Sequence, residues 1–316
     1  MRRGHYILLM GVLTGLLIGA APSTALAQSC CGSTQSTGLG RLGTGQQYLI
    51  GVDLQYKDYH GHFDGRTHRS IDGDIREIRQ TIFGTMRLGR DFQLGAAVPF
   101  IQNHKDFGAL SEWGVGPGDV SASLRYELVQ TGLYRRLPGI GLSLTSKFPT
   151  GRSIFSSMDR AESALQADVT GTGSYDVGAS VQLEWTRRSW FFGLGTGLQY
   201  AIPFTSEQGH KISRGPILGA SLSAGYALYA PLMADDFLYL SLATAVDHSS
   251  GLHQDGLSLV QGAERRTTTT FQLGGFISPH VFAGLRFAAD LPVDGLGENL
   301  LSSTSVGLVF RRVFYE

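Results

Sequence analysis

The 316-residue chain carries 26 Lys+Arg against 26 Asp+Glu, so no net field gathers nucleic acid or anionic lipid around it. Charged residues make up 16% of the chain and glycine contributes 43 positions. That is a thin polar coat for a water-soluble protein and about twice the ordinary share of glycine. After the first 27 residues no apolar run reaches the ~20 residues that a helical span requires, which excludes a helical membrane protein.

In chain order, Arg2 and Arg3, the apolar stretch Tyr6 to Ala20 and Ala25-Leu26-Ala27 read as a cleavable signal peptide over 1–27, with a mature end at Gln28. Residues 28–45 are Gly, Ser, Thr and Gln with scattered Leu, and read as a flexible periplasmic segment. The two cysteines, Cys30 and Cys31, stand there side by side. They are read as an incidental tail pair, as thiols for a metal or an intermolecular bridge, or as a lipidation site at Cys30.

From Gln46 onward a two-residue beat takes over. Tyr48, Ile50, Val52, Leu54 and Tyr56 alternate with Gly51, Asp53, Gln55 and Lys57. Strand side chains alternate between faces, so this run makes one apolar and one polar surface. The same beat is expected near 75–89, 92–100, 120–128, 140–148, 175–185, 190–198, 218–226, 238–246, 271–277, 281–290 and 306–314. Long polar connections (Asp58–Gly73, Asn103–Gly118, Pro149–Gly173, Thr205–Arg214, His248–Arg265, Pro292–Leu301) alternate with short links, the habit of an outer-membrane barrel. Aromatics at strand ends, Tyr56, Tyr59, Phe100, Trp185, Trp190 and Tyr200 among them, fit interfacial girdles. The expected fold is all-β: a transmembrane antiparallel up-and-down β-barrel of about 12 strands spanning 46–316, with both termini periplasmic.

Motifs of chemistry are scarce. Gly193-Leu194-Gly195-Thr196-Gly197 has neither a following helix nor a Lys-Ser/Thr pair, so it reads as small inward residues of a strand. His60-Gly61-His62 has the only spacing suited to a metal, with no carboxylate partner fixed by sequence. No nucleophile elbow or paired-carboxylate signature appears, so neither an enzyme nor a cofactor is expected. Charges on the polar faces must line the lumen, because a charge on the lipid face costs ~2–4 kcal/mol at the midplane. Asp53, Arg79, Arg87, Arg125, Lys147, Glu184 and Arg286 are the expected lining of a solute path. Pairs such as Glu77–Arg125 that satisfy one another across a sealed lumen are the competing reading.

Three stretches resemble a known family. Gly116-Pro117-Gly118-Asp119-Val120 running into Leu124-Arg125-Tyr126 resembles the G-x-G-D strand start of the outer-membrane family named after the meta-pathway of phenol degradation. Lys147-Phe148-Pro149-Thr150-Gly151 resembles its K-x-P-T-G strand end, and Gly171-Thr172-Gly173-Ser174-Tyr175-Asp176 its G-T-G-S-x-D start of the next strand. Ala97-Val98-Pro99-Phe100 also fits. The resemblance covers about Leu94 to Leu198 and implies a transporter-like barrel for small, often aromatic or hydrophobic compounds. The Cys30-Cys31 tail is not part of that pattern, and Glu316 after the aromatic pair Phe314-Tyr315 departs from the outer-membrane habit of ending on an aromatic.

The sequence thus points to a bacterial outer-membrane barrel passing small molecules. The alternative is a non-conducting surface barrel whose external loops bind a ligand, metal or partner. Expected partners are outer-membrane lipid and lipopolysaccharide, the barrel assembly machinery and a small-molecule solute, and no nucleic acid.

Overall fold

A computed structural model of the chain describes residues 40–43, 45–130, 137–157, 164–187, 189–206, 208–229, 238–258 and 263–315. The expected leader, Cys30, Cys31 and much of the connections Gln130–Gly139 and Pro231–Asp236 lie outside the described residues. The strands are β1 (Gln46–Asp64), β2 (Thr67–Leu88), β3 (Phe92–Asp106), β4 (Ser111–Pro117), β5 (Val120–Val129), β6 (Gly139–Phe148), β7 (Asp176–Arg187) and β8 (Trp190–Ala201). They continue as β9 (Phe204–Thr205), β10 (Lys211–Arg214), β11 (Ile217–Tyr229), β12 (Leu238–Ser249), β13 (Leu252–Gln254), β14 (Leu257–Ser258), β15 (Glu264–Ser278), β16 (Val281–Asp290) and β17 (Leu301–Tyr315).

Antiparallel pairing runs β1-β2-β3-β5-β6-β7-β8-β11-β12-β15-β16-β17 and returns from β17 to β1, so twelve strands close into a barrel. Closure removes the edges that an open sheet would expose to lipid, where an unpaired backbone group has no water to turn to. Outward positions such as Ile50, Leu54, Ile82, Leu144 and Leu222 are apolar and exposed. The outward run from Tyr48 to Tyr56 matches the ~9–11 residues of a tilted span. The polar positions between them turn inward, as the two-residue beat requires.

The long connections prove less irregular than their polarity suggested. Asp58–Gly73 is strand for most of its length, β1 and β2 pairing as far as Asp64 and Thr67. Asn103–Gly118 likewise holds the end of β3 and all of β4. Composition misleads at Asp58–Gly73 because the β1–β2 hairpin runs past the apolar band, where outward positions such as Asp58 and His60 no longer need to be apolar. Between β4 and β5 the ladder carries one bulge. Phe100 pairs with Pro117 and Ala97 with Ser121, leaving one more residue on the β4–β5 side, and Gly118 donates to the Pro99 carbonyl at 2.8 Å. Pro99 has no N–H to offer the ladder, so the strand breaks there.

At the opposite end the turns are tight. Gly89, at φ +66°, takes the left-handed conformation that reverses β2 into β3. A second, four-stranded sheet of β9, β10, β13 and β14 stands among the long connections. Its β13–β14 turn is tied to β10 through Asp255, which accepts the Lys211 N–H at 2.8 Å and contacts His210 Nδ1 at 2.7 Å. The Lys211 amide, then His210, hold the Asp255 carboxyl below its usual range. A depressed carboxylate stabilises above its unfolded pKa and loses that contribution as pH falls through the folded one. The tie is therefore expected to hold near neutrality and to loosen below about pH 4, read as a lower protection factor of the Lys211 amide proton, its rate taken against the intrinsic rate at the same pH.

Candidate lumenal site

The lumen is filled unevenly, and the filling begins with the segment before β1. Gly40–Gly43 lies inside the barrel at the short-turn end. Leu42 is 1% exposed against Leu49, Phe83, Ala97 and Val313, while its N–H and carbonyl are both bonded to the Gln93 amide, at 3.0 and 3.2 Å. Arg41 reaches Glu127 at 2.8 Å and also pairs with Glu184. Thr85 Oγ1 donates to the Gly40 carbonyl at 2.6 Å. The expected flexible stretch 28–45 thus has its described end seated in a socket.

Around Arg41 the barrel wall supplies a buried charge cluster. Arg87 lies 3.4 Å from Glu127 and donates to the carbonyls of Gly43 and Gln46 at 2.9 and 3.0 Å. Arg125 bonds Gln182 and lies 3.9 Å from both Glu127 and Glu184. Three guanidiniums against two carboxylates, all nearly buried, cohere only as a set, because any one charge alone would be left in a low-dielectric interior. Beside this cluster an aromatic box completes the filling. Phe191 meets Tyr239 edge-on at 5.7 Å, Tyr239 stacks with Phe282 at 5.9 Å, and Arg311 lies 4.0 Å over the Phe282 ring. Gln272 donates to the Tyr239 hydroxyl at 2.7 Å, satisfying the polar tip of a fully buried ring.

The three stretches that carry the family resemblance meet at one point near the long-loop end. The Asp119 carboxylate accepts the Gly151 N–H at 3.1 Å, and the Thr172 N–H and hydroxyl at 2.8 and 2.9 Å. Lys147 donates to Thr172 Oγ1 at 2.7 Å and pairs with Asp176 at 2.5 Å, Asp119 lying 3.7 Å away. Ser174 and Gln199 donate to the two oxygens of Asp176 at 2.6 and 2.7 Å. Thr150 Oγ1 bonds both sides of the bulge, accepting from Val120 N and donating to Gly118 O. Gly151 and Gly171 must be glycines: a Cβ on either would stand 2.7–2.8 Å from the other's Cα. These residues form a clasp that pins both ends of the 149–175 connection.

Between its ends the same connection folds inward over β3 and β4. Asn103 donates to the carbonyls of Ala167 and Val169, Lys105 to those of Leu165 and Gln166, and Glu112 accepts the N–H groups of Leu165 and Ala167. Ala167 is wholly buried there. We expect Lys147→Met to release the clasp at a cost of about 3 kcal/mol, the lower end for removing one partner of a buried pair. A urea titration of the folded barrel measures it.

A space remains along the wall that Gln182 shares with the cluster. A cavity of about 450 Å³ runs along β7, β8, β11, β12 and β15. Ser180, Gly197, Gly219, Asp247 and Arg266 cross those strands as one row of paired positions, and Gln182, Gly195 and Ser221 form the row beneath. Small side chains leave room where bulky ones would close the lumen. Arg266 lies 3.8 Å from Asp290, and Arg214 at the upper rim makes no ion pair among the described residues.

None of the seven residues named for the solute path stands alone. Asp53 and Arg286 pair across β17 at 2.7 Å, and Arg79 pairs with Glu77 at 2.9 Å. Arg87, Arg125 and Glu184 belong to the buried cluster, and Lys147 to the clasp. The anticipated Glu77–Arg125 pair is replaced by Glu77 with Arg79 and Tyr59. Tyr59, expected in a girdle, turns inward for that bond, because odd positions of β1 face the lumen. Arg41 and Gln93 belong to no motif, and Asp119 stands in one only through the family resemblance. Arg41 had a signal, as the lone cation in a Gly/Ser/Gln stretch. Near His60 and His62, and elsewhere among the described residues, no three His, Cys, Asp or Glu side chains stand close enough to share a metal ion.

No family model and no curated protein matches the chain. Among solved structures it is similar to an outer membrane channel from Pseudomonas putida F1, at 14% identity and a TM-score of 0.66, over 87% of this chain and 99% of that one. The fold is an outer-membrane-type β-barrel. Weaker overlaps join it to the CymD monoaromatic hydrocarbon channel, at 9% identity and a TM-score of 0.40, and to the toluene transporter TodX of Pseudomonas putida, at 12% and 0.39. Each covers 86% of this chain and 90% of its own. At such identities the likeness is one of architecture, carried by the first comparison.

Proposed function

We propose that this barrel sits in the bacterial outer membrane as a passive channel for small molecules, and that the structure is its closed state. The observation that carries the reading is the 450 Å³ chamber on the small-residue wall. It lies within a barrel whose short-turn end is filled by a separable piece of chain, Gly40–Gly43, rather than by the wall alone. Pockets of ~300–1,000 Å³ suit compact organic solutes. The resemblance of the clasp motifs favours aromatic or hydrophobic compounds as the class.

In this reading a solute enters from the long-loop end, rests against Ser180, Gly197 and Ser221, and leaves when Arg41 and Leu42 withdraw. The paired charges of the lumen set the local potential without presenting an isolated charge. Swelling of proteoliposomes in a phenyl glycoside, a small aromatic solute polar enough to be held back by bare bilayers, against an equal osmolarity of a trisaccharide tests it. Faster entry of the small solute supports the channel, and identical traces with empty liposomes would sink it.

The filled short-turn end favours one second reading, a barrel that binds a ligand in the chamber without conducting. Saturable ligand binding with no flux, in wild type and in Arg41→Ala alike, would select it.

A further inference from the structure

The outer face of the β3–β4 hairpin does not end where the lipid-facing band ends. The outward positions of β3 run Phe92, Leu94, Ala96, Val98, Phe100. Beyond them β4 continues the same surface, with Pro117 opposite Phe100, Val115 opposite Gln102 and Trp113 opposite His104. Trp113 is 69% exposed and Val115 62%. His104 lies against the indole with ring centres 4.2 Å apart and planes tilted by 30°. Phe107 and Leu110 are exposed at the hairpin tip. The inner face of this hairpin is bonded to residues 165–169 along its length, so it stands fixed, and its bare apolar face is not the accident of a loose loop. A fixed, contiguous apolar surface marks a place of contact.

Height decides what the contact is. Phe100 closes the apolar band on this strand. Trp113 lies four residues past Pro117, the register partner of Phe100, which is roughly 13 Å of strand and roughly 10 Å of height at the ~40° tilt of such barrels. A phospholipid headgroup layer is only ~5–7 Å deep, so an indole at that height stands clear of it. In a leaflet of lipopolysaccharide the same height holds sugar rings, whose C–H faces pack on an indole as an aliphatic surface does. The neighbouring charges do not make this a phosphate site, because Arg76, the register partner of His104, is already paired with Asp74 at 2.8 Å.

We propose that the outer face of the β3–β4 hairpin docks the saccharide headgroup of outer-leaflet lipopolysaccharide, with Trp113 against a sugar ring and Val115 on the apolar ground beneath it. The proposal rests on the outer-membrane placement given above, but not on conduction. Its consequence is mechanical: the hairpin that touches the glycolipid is the one to which the inward-folded 164–170 segment is bolted.

The chain has three tryptophans, so Trp185→Phe with Trp190→Phe leaves Trp113 as the sole reporter. The full chain carrying both changes is reconstituted in phosphatidylcholine vesicles with and without purified lipopolysaccharide. We expect Trp113 emission to shift to the blue and acrylamide quenching to fall severalfold only where lipopolysaccharide is present. We also expect Trp113→Ala, in an otherwise wild-type chain that still folds, to lose most lipopolysaccharide co-purification. Equal quenching in both vesicles overturns the sugar contact. A blue shift in both places the indole in phospholipid, and a shift that tracks protein concentration, with cross-linked dimers, assigns the face to a second copy. An absence of solute flux would defeat the channel and leave these outcomes standing.

Discussion

Arg41→Ala is expected to raise the open probability of single channels in planar bilayers by about a hundredfold, with the barrel intact. Arg41 is the cation that the seated segment brings to Glu127 and Glu184, beside Arg87 and Arg125 of the wall. Removing one partner of a buried ion pair costs ~3–5 kcal/mol. That cost falls on the seated state of Gly40–Gly43, because those residues take no part in the wall. At 1.4 kcal/mol per factor of ten, the lower figure moves the seated-to-withdrawn ratio by about two decades. Leu42 alone would still prefer its socket, so the double variant with Leu42→Ser should open further. Unchanged traces from both would mean that the aromatic box of Phe191, Tyr239 and Phe282 seals the lumen unaided, and the withdrawing segment would have no part in gating.

Leu124→Arg should impair folding into vesicles by ~2–4 kcal/mol, the depth-dependent cost of a cation on the lipid face. Leu124 points outward from β5, between its register partners Leu94 and Leu144. Its neighbour Arg125 faces the other way, and on alternation alone Arg125→Glu would retune a water-filled path and spare the fold. The structure removes that expectation. Arg125 is 9% exposed and lies among Gln182, Glu127 and Glu184, so a reversal would set three carboxylates together away from water. We expect it to fold as poorly as Leu124→Arg, whereas Ser221→Ala on the chamber wall should stay within ~0.5 kcal/mol of wild type. A urea titration of all three settles which inward positions are wet.

Alternation made the wall legible in the sequence, since Tyr48 to Tyr56 can bury or expose only one set of side chains at a time. The strand count and the end-to-end asymmetry of the connections followed from it. What fills the barrel was not legible. Whether Arg125 meets water or Glu184 depends on β5 and β7 lying two places apart, a relation of register that no local pattern carries. Asp119, Lys147 and Thr172 read as three separate motifs because the connection that joins them runs through space. Leu42 looked like a stray apolar residue in a polar segment, because its socket is assembled from β1, β2, β3 and β17.

The seam between β1 and β17 has a consequence for how the molecule comes into being. Gln55 donates to Ser305, and Asp53 meets Arg286, across more than two hundred residues of intervening chain. Until the last strand arrives, the 19 residues of β1 present an unpaired edge beside an apolar face, the arrangement most prone to pair with the wrong chain. Long-range closure is also entropically slow. The C-terminal strand therefore acts as the latch of assembly: losing the segment from Val306 to Tyr315 would leave eleven strands formed and no barrel, and an unlatched chain would be a substrate for aggregation or proteolysis rather than a leaky pore.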